Sequence, residues 1–214
     1  PEFDKVSMTP KTVTARYELS RRMLLQAAQV EAILRGDIGF LLAQALDSAA
    51  IKGGGSNEPT GVIGNSSVPV EEIGTNGGAF TIDHAANMIA APLIANAAGG
   101  GFLINQKLHK AVMKTYDGEG LPIGVTTFFR NQPIAFSNQV PSNLSKGSGT
   151  NLSAAIYGDW SDMVIGHWSA VDIVANPYHS DVAGKGGLYL FAFLDADVAL
   201  RHVESFVVCK DIIA

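Results

Sequence analysis

The side chains of this 214-residue chain that could act as nucleophiles, metal ligands or general acids and bases are five histidines, one cysteine and scattered serines. No two of His84, His109, His167, His179 and His202 stand at the i, i+4 spacing that presents two imidazoles to one metal from a helix face. No metal site is expected. His84 falls in the first turn of a predicted helix, His109 on the polar side of another and His202 at the end of a strand. Cys209 follows Val207-Val208 and reads as a small buried hydrophobe, since a reactive thiolate needs an electropositive, exposed setting. His202 could approach it, but no third orienting group or motif accompanies the pair. Ser20, Ser56 and Ser161 lie in neither G-x-S-x-G nor S-x-x-K. A small hydrolase using Cys209 or a serine with His202 is thus the enzymatic alternative, and a weakly supported one.

The segment Gly53-Gly-Gly-Ser-Asn-Glu-Pro-Thr-Gly61 invites a phosphate-loop reading, yet it follows a helix instead of preceding one and has no Lys after Gly61. It reads as a helix stop and turn. Trp160, Trp168, Tyr157 and Phe136 read as packing aromatics. No catalytic residue, metal or cofactor is assigned.

The elements that position these residues fall into blocks. Residues 3–19 alternate through Val13, Ala15, Tyr17 and Leu19, a strand pattern broken by Pro10. Ser20 caps a short helix over 21–28, and a longer one runs over 30–50. In the longer helix Val30, Leu34, Ile38, Leu41, Leu42, Ala45, Leu46 and Ala49 form the apolar stripe. Gly36 and Gly39 inside it each cost about 1 kcal/mol relative to Ala and imply close approach of another element. A Gly-, Asn-, Ser- and Pro-rich loop follows up to Gly78, with strand fragments at Val62-Ile63 and Val68-Val70. Thr81 or Asp83 caps a helix over 83–97 with Ala86, Ile89, Ala90, Leu93 and Ile94 on its apolar side and Pro92 as a kink point. Residues 102–104 read as a buried strand and 106–114 as a helix with Leu108 and Val112 inward. Residues 133–136 form a strand, 142–153 a polar loop, and 154–157, 163–165, 171–174, 188–200 and 206–208 further strands. Helices and strands are segregated, so the fold class is α+β.

Composition bounds the function. Fifteen Lys and Arg with twenty Asp and Glu make 16% charged residues, where an average protein has about 25%, and 47% of the chain is apolar. Part of such a surface is expected to be covered by neighbouring chains. The net charge of −5, without a Lys/Arg cluster larger than Arg21-Arg22, argues against a protein whose main work is gripping nucleic-acid phosphates. The apolar run Leu188-Tyr-Leu-Phe-Ala-Phe-Leu194 is far short of the roughly 20 residues of a membrane span, so no membrane partner is expected. A single cysteine excludes an internal disulfide. The opening Pro1-Glu-Phe-Asp-Lys5 has neither an initiator Met nor a signal peptide, as expected of a fragment or processed product.

Three blocks carry a family likeness. Ser20-Arg-Arg-Met-Leu-Leu, the long helix ending Ala49-Ala-Ile-Lys-Gly53, and Gly55-Ser-Asn-Glu-Pro-Thr-Gly61-Val-Ile-Gly64 resemble the central signature of tailed-bacteriophage major capsid proteins. Phe102-Leu-Ile-Asn-Gln through Lys114 to Asp117-Gly-Glu-Gly-Leu-Pro-Ile-Gly124 resembles the family's second run, and Ala155-Ile-Tyr-Gly-Asp-Trp160 onward to Val198-Ala-Leu-Arg-His202 its closing strands. The blocks span nearly the whole chain in the family's order.

The resemblance implies the capsid-shell fold. Its peripheral domain would take residues 1–77, with the end of an extended loop and a spine helix over about 30–50. The axial domain would take 78–176, and 177–214 would be closing strands returning to the periphery and core. The N-terminal arm and most of the extended loop of family members have no counterpart here. The implied function is that of a structural subunit, not an enzyme, assembling into pentamers and hexamers of an icosahedral phage or prophage head that encloses DNA. The implied partners are copies of itself, a scaffolding segment, a head protease, portal and decoration proteins, and packaged DNA without sequence specificity. The implied location is the virion, after assembly in the bacterial cytoplasm. An encapsulin-type nanocompartment shell shares the fold and is the alternative. Some members crosslink subunits through a Lys, an Asn and a Glu. Here Gly186-Gly187-Leu188 stands at the Asn position and Asp195 near the Glu position, so crosslinking is not expected.

Overall fold

A computed structural model describes residues 6–26 and 30–214. Two sheets, each with its own helices, divide the chain. The first is built on the long strand β9 (Leu188–Leu200), with β1 (Lys11–Leu19) antiparallel along one edge from Lys11↔Ala196 to Leu19↔Leu188. The other edge of β9 is shared end to end by β8 (Asp172–Asn176) and β7 (Met163–His167). Helix α1 (Arg21–Gln26) opens with the Met23 amide donating to Ser20 Oγ, the expected cap, and α2 (Val30–Lys52) lies across the sheet. Residues 27 and 28 of the expected first helix lie outside the described residues, as do residues 3–5 of the expected first strand. That strand begins at Lys11 instead, directly after Pro10, which has no N–H for a ladder.

The second sheet has the order β2 (Gly78–Ala79), β10 (Phe206–Ile213), β6 (Gly149–Gly158), β3 (Gly101–Ile104), β4 (Ile134–Phe136), with β5 (Leu144–Lys146) paired to β6. Helices α3 (Ile82–Ile94), α4 (Gln106–Val112) and α5 (Val125–Phe128) belong to this half of the chain. The short α6 (Ser180–Ala183) precedes β9. Thr81 caps α3: its Oγ1 accepts from the His84 amide at 3.4 Å while the Thr81 amide donates to His84 Nδ1 at 3.2 Å.

Three cores result. Leu19, Ile38, Leu42, Leu46, Leu190 and Leu194 fill the space between α2 and the first sheet. Phe80, Met88, Phe102, Phe128, Phe129 and Tyr157 are among the residues packed between the second sheet and its helices. Val62, Val68, Val140, Ile156, Phe206 and Val208 are among those covering its opposite face.

The Gly-rich segment after α2 is structural. The amides of Val62 and Ile63 donate to Ala50 O and Ile51 O at 3.0 and 2.9 Å, satisfying carbonyls that a helix end leaves bare. A Cβ on Gly61 would lie 2.5 Å from Ala49 O, and one on Gly64 would collide with Gly53 O. The glycines are there because backbone packs on backbone.

Further sequence expectations need correction. In α2, Leu41 and Ala45 of the expected apolar stripe are exposed. Residues 142–153 are a hairpin, not a loop. Leu152 is buried, Gly147 turns with φ 58°, and the Ser148 amide donates to Asn76 Oδ1, so its polar residues serve the turn and not the core. Helix α3 ends at Ile94 and buries Ala85, Met88 and Pro92, leaving Leu93 and Ile94 exposed. A mostly apolar helix does not announce its inward face by periodicity. Among the described residues, none outside the local helix comes within 4 Å of a Cβ placed on Gly36 or Gly39, so the expected close approach is not made by them.

Candidate assembly surfaces

The reactive side chains stay dispersed. Cys209 is buried on β10 and its Sγ donates to Asp211 Oδ1 at 3.4 Å, while His202 is exposed in the turn before that strand. Burial pushes the Cys209 thiol far above its usual range, the opposite of what a nucleophile requires. Ser161 donates its hydroxyl and its amide to Asp159 Oδ1, and these bonds hold that carboxyl below the usual range. Ser56 is exposed in the Gly-rich segment. His109 lies against the Phe136 ring at 4.4 Å, and His179 accepts from the Asp181 amide at the start of α6. Among the described residues no group of three or more His, Cys, Asp or Glu is placed to hold a metal. No helix among them is long and apolar enough to cross a membrane.

Tyr157 and Trp160 pack as expected, whereas Phe136 and Trp168 are exposed. Tyr157 lies 4.6 Å from Phe102, accepts from the Gly100 amide and donates to Gln132 Oε1. Trp160 donates Nε1–H to Gly101 O. Trp168 is 48% exposed.

Two buried polar residues organise the second sheet, and neither was singled out for this role from sequence. Asn105 is 3% exposed: its Oδ1 accepts from the Leu108 amide at 2.8 Å, capping α4, and its Nδ2 donates to Pro141 O at 3.2 Å. Its place just before a helical run was the available signal. Asp211 is 1% exposed because a bulge between Cys209 and Ile212 shifts the register of β10 against β6. Val207 and Cys209 face the aromatic core, and after the bulge Ile212 faces it too, out of the alternation a regular strand would keep. Nothing in the local sequence marks such a bulge.

What the surface offers is contact. Helix α2 buries Ile38, Leu42 and Leu46, yet Ile33 and Phe40 lie on its far side, 60% and 69% exposed. Large apolar side chains set among Asp37, Gln44 and Asp47 on that outward side suit a surface that a neighbour covers. Beside it runs an open groove of about 700 Å³ between Gly39, Ala43 and Leu46 of α2, Ile165 of β7, and Trp168 and Val171 of the β7–β8 connection. The accessible surface is 12,132 Å², against about 9,500 Å² for a compact monomer of this mass. Surface in excess, under-charged and apolar, is what a subunit of a larger assembly presents.

The fold and its surface therefore define a class, an α+β protein with apolar side chains left exposed on its long helix and beside the groove. The model of the phage capsid family matches residues 1–211, and the chain belongs to that family. It is 27% identical over its whole length to the major capsid protein of Halomonas phage phiHAP-1, of which it spans about a third (34%). Among solved structures it is similar to the capsid of the native GTA particle, with a TM-score of 0.77 at 19% identity over 100% of this chain and 76% of that one. It is also similar to a structure from Gordonia phage Cozz, with a TM-score of 0.72 at 18% identity over 97% and 71%. The virus-like particle from Pyrococcus furiosus matches with a TM-score of 0.64 at 13% identity over 94% and 77%. These likenesses establish the shell fold. The family and the curated relative are those of phage structural proteins, which sets aside the hydrolase and does not favour the cellular compartment.

Proposed function

We propose that this chain is the shell-forming part of a major capsid protein, assembling with copies of itself into the pentamers and hexamers of a phage or prophage head that encloses DNA. The match of the phage capsid family over residues 1–211 carries this reading, and the two-sided apolar character of α2 supplies its physical counterpart. Each contact between subunits is weak, and closure of a symmetric shell adds many of them together. A net charge of −5 suits a container that holds its DNA loosely and without sequence specificity. Assembly takes place in the bacterial cytoplasm, with a scaffolding segment, a head protease, portal and decoration proteins as further partners.

Sheet membership supports a refined division of the subunit. The peripheral unit takes β1, α1 and α2 with β7, β8 and β9. The axial unit takes residues 78–158 with β10, so β7 and β8 leave the block expected over 78–176 and β10 joins it. Electron microscopy of the full-length gene product tests the proposal. Regular hollow shells are expected, and monomers persisting at high concentration overturn it.

A further inference from the structure

One buried polar cluster is absorbed neither by the fold's apolar cores nor by its assembly surfaces. Asp211 Oδ2 accepts from Lys146 Nζ at 2.8 Å, from the Ile73 amide at 3.0 Å and from the Gly74 amide at 3.2 Å. Three segments distant in sequence thus meet on one oxygen: the chain leading to β2, the β5–β6 hairpin, and the last strand. The charged and titratable groups around this carboxylate come from the same three segments. Glu72 Oε2 is 3.5 Å from Lys146 Nζ, and Glu71 accepts from the Asn87 side chain. On β10, Cys209 donates to Oδ1, and Lys210 directs its Nζ to Ile63 O.

The cluster is built to let go. The Asp211 side chain is 2% exposed, but Lys146 is 31% exposed, beside a cavity of about 320 Å³ also lined by Val70, Leu144 and Lys210. The lysine has room to swing out. Residues 72–77 make no sheet ladder of their own: the Ile73 and Gly74 amides are spent on Asp211, and Asn76 is tied to the hairpin tip through the Ser148 amide. Remove the negative charge and those two amides and the ammonium lose their shared acceptor, whereas the β10–β6 ladder from Phe206 to Cys209 keeps its backbone bonds.

We propose that Asp211, Lys146 and the Ile73 and Gly74 amides form a clasp that opens when the carboxylate is protonated, freeing residues 72–77 and the tip of the β5–β6 hairpin while the sheet behind them stays paired. Burial alone would raise the Asp211 pKa, but the bonds from Lys146, Gly74, Ile73 and Cys209 outweigh it and hold it below the ordinary carboxylate value. A group depressed in the folded state stabilises above its unfolded pKa of about 3.9, and that contribution disappears as pH falls through the folded value. The bond to Asp211 raises the Lys146 pKa, so the ammonium leaves only in strong alkali. The clasp is closed from mildly acid to alkaline pH and opens in acid. This device does not depend on the shell reading.

Amide hydrogen exchange on the whole chain, corrected for intrinsic rates, tests it. In the wild type, going from about pH 7 to about pH 2.5, below the ordinary carboxylate value, lowers protection of Ile73 and Gly74 by about ten-fold or more while Val207, in the β10–β6 pairing, is unchanged. Lys146→Met, which removes the cation that favours the carboxylate, moves the same selective loss to higher pH. Asp211→Asn, if it folds, matches the acid state at neutral pH, and Lys146→Met serves if it does not. Unchanged protection at Ile73 and Gly74 in acid, or a loss in Lys146→Met at the wild-type pH, overturns the clasp. So does an equal loss at Val207, because the cluster would then be inseparable from the sheet.

Discussion

The two sheets of this subunit solve the same burial problem differently. Around the second sheet, the chain closes its own core: Phe102 lies 4.7 Å from Phe129 and 4.6 Å from Tyr157, α3, α4 and α5 supply one layer, and a third cluster covers the other face. The first sheet has α2 on one face and only aliphatic side chains in its buried cluster, and much around it stays open, including Phe40 and Leu41 of α2 and Val164, Ile165, Trp168 and Val171 near the groove. The difference teaches that rings and aliphatics close cores differently. The second half sets its rings between the sheet and its helices, although Ile94, Tyr116 and Leu121 stay exposed, whereas the first half has a long helix carrying apolar residues on both sides.

Substitutions can break or sharpen that contrast. Phe102→Ala removes a ring from the centre of the closed core and is expected to cost about 3–5 kcal/mol in denaturant unfolding. Leu42→Ala, under α2, is expected to cost about 2–3 kcal/mol, the lower part of the range for a buried leucine, since an open-sided cluster relaxes more readily into the cavity. A larger loss for Leu42 than for Phe102 in the same experiment would reverse the assignment of closed and open halves. Phe40→Glu has the smallest expected effect on the monomer, within about 0.5 kcal/mol, because the ring is already in solvent. In the full-length product that variant nevertheless abolishes shell formation, as read by sedimentation. Shells of normal yield would show that this face of α2 stays bare.

Much of this could be read from residue order. The stop after α2 was legible because Gly and Pro act locally on the backbone, and the cap of α3 was legible to within Thr81 or Asp83 because its geometry is set within one turn, the structure choosing Thr81. The strands 154–157, 188–200 and 206–208 were legible as apolar runs between turn signals, and the structure finds them within β6, β9 and β10. The hairpin over 144–158 was not, since a polar tip held by Asn76 from another segment has no local signature. The inward face of α3 was not either, because Ala86, Ile89, Ala90 and Ile94 are as apolar as Ala85 and Met88, and only packing distinguishes them. Nor was the clasp, which depends on a bulge that turns Asp211 inward and on two segments more than sixty residues away.

Sequence by itself determined the α+β class, the spine-like α2, the poverty of charge and the scatter of potentially reactive side chains, because these follow from composition, periodicity and local backbone preference. Tertiary structure alone decided which faces of α2 and α3 are buried, how β7, β8 and β10 divide between the sheets, and which carboxylate is taken out of water. Those outcomes rest on pairings between distant segments, where the free energy lies in contacts that no stretch of chain contains on its own.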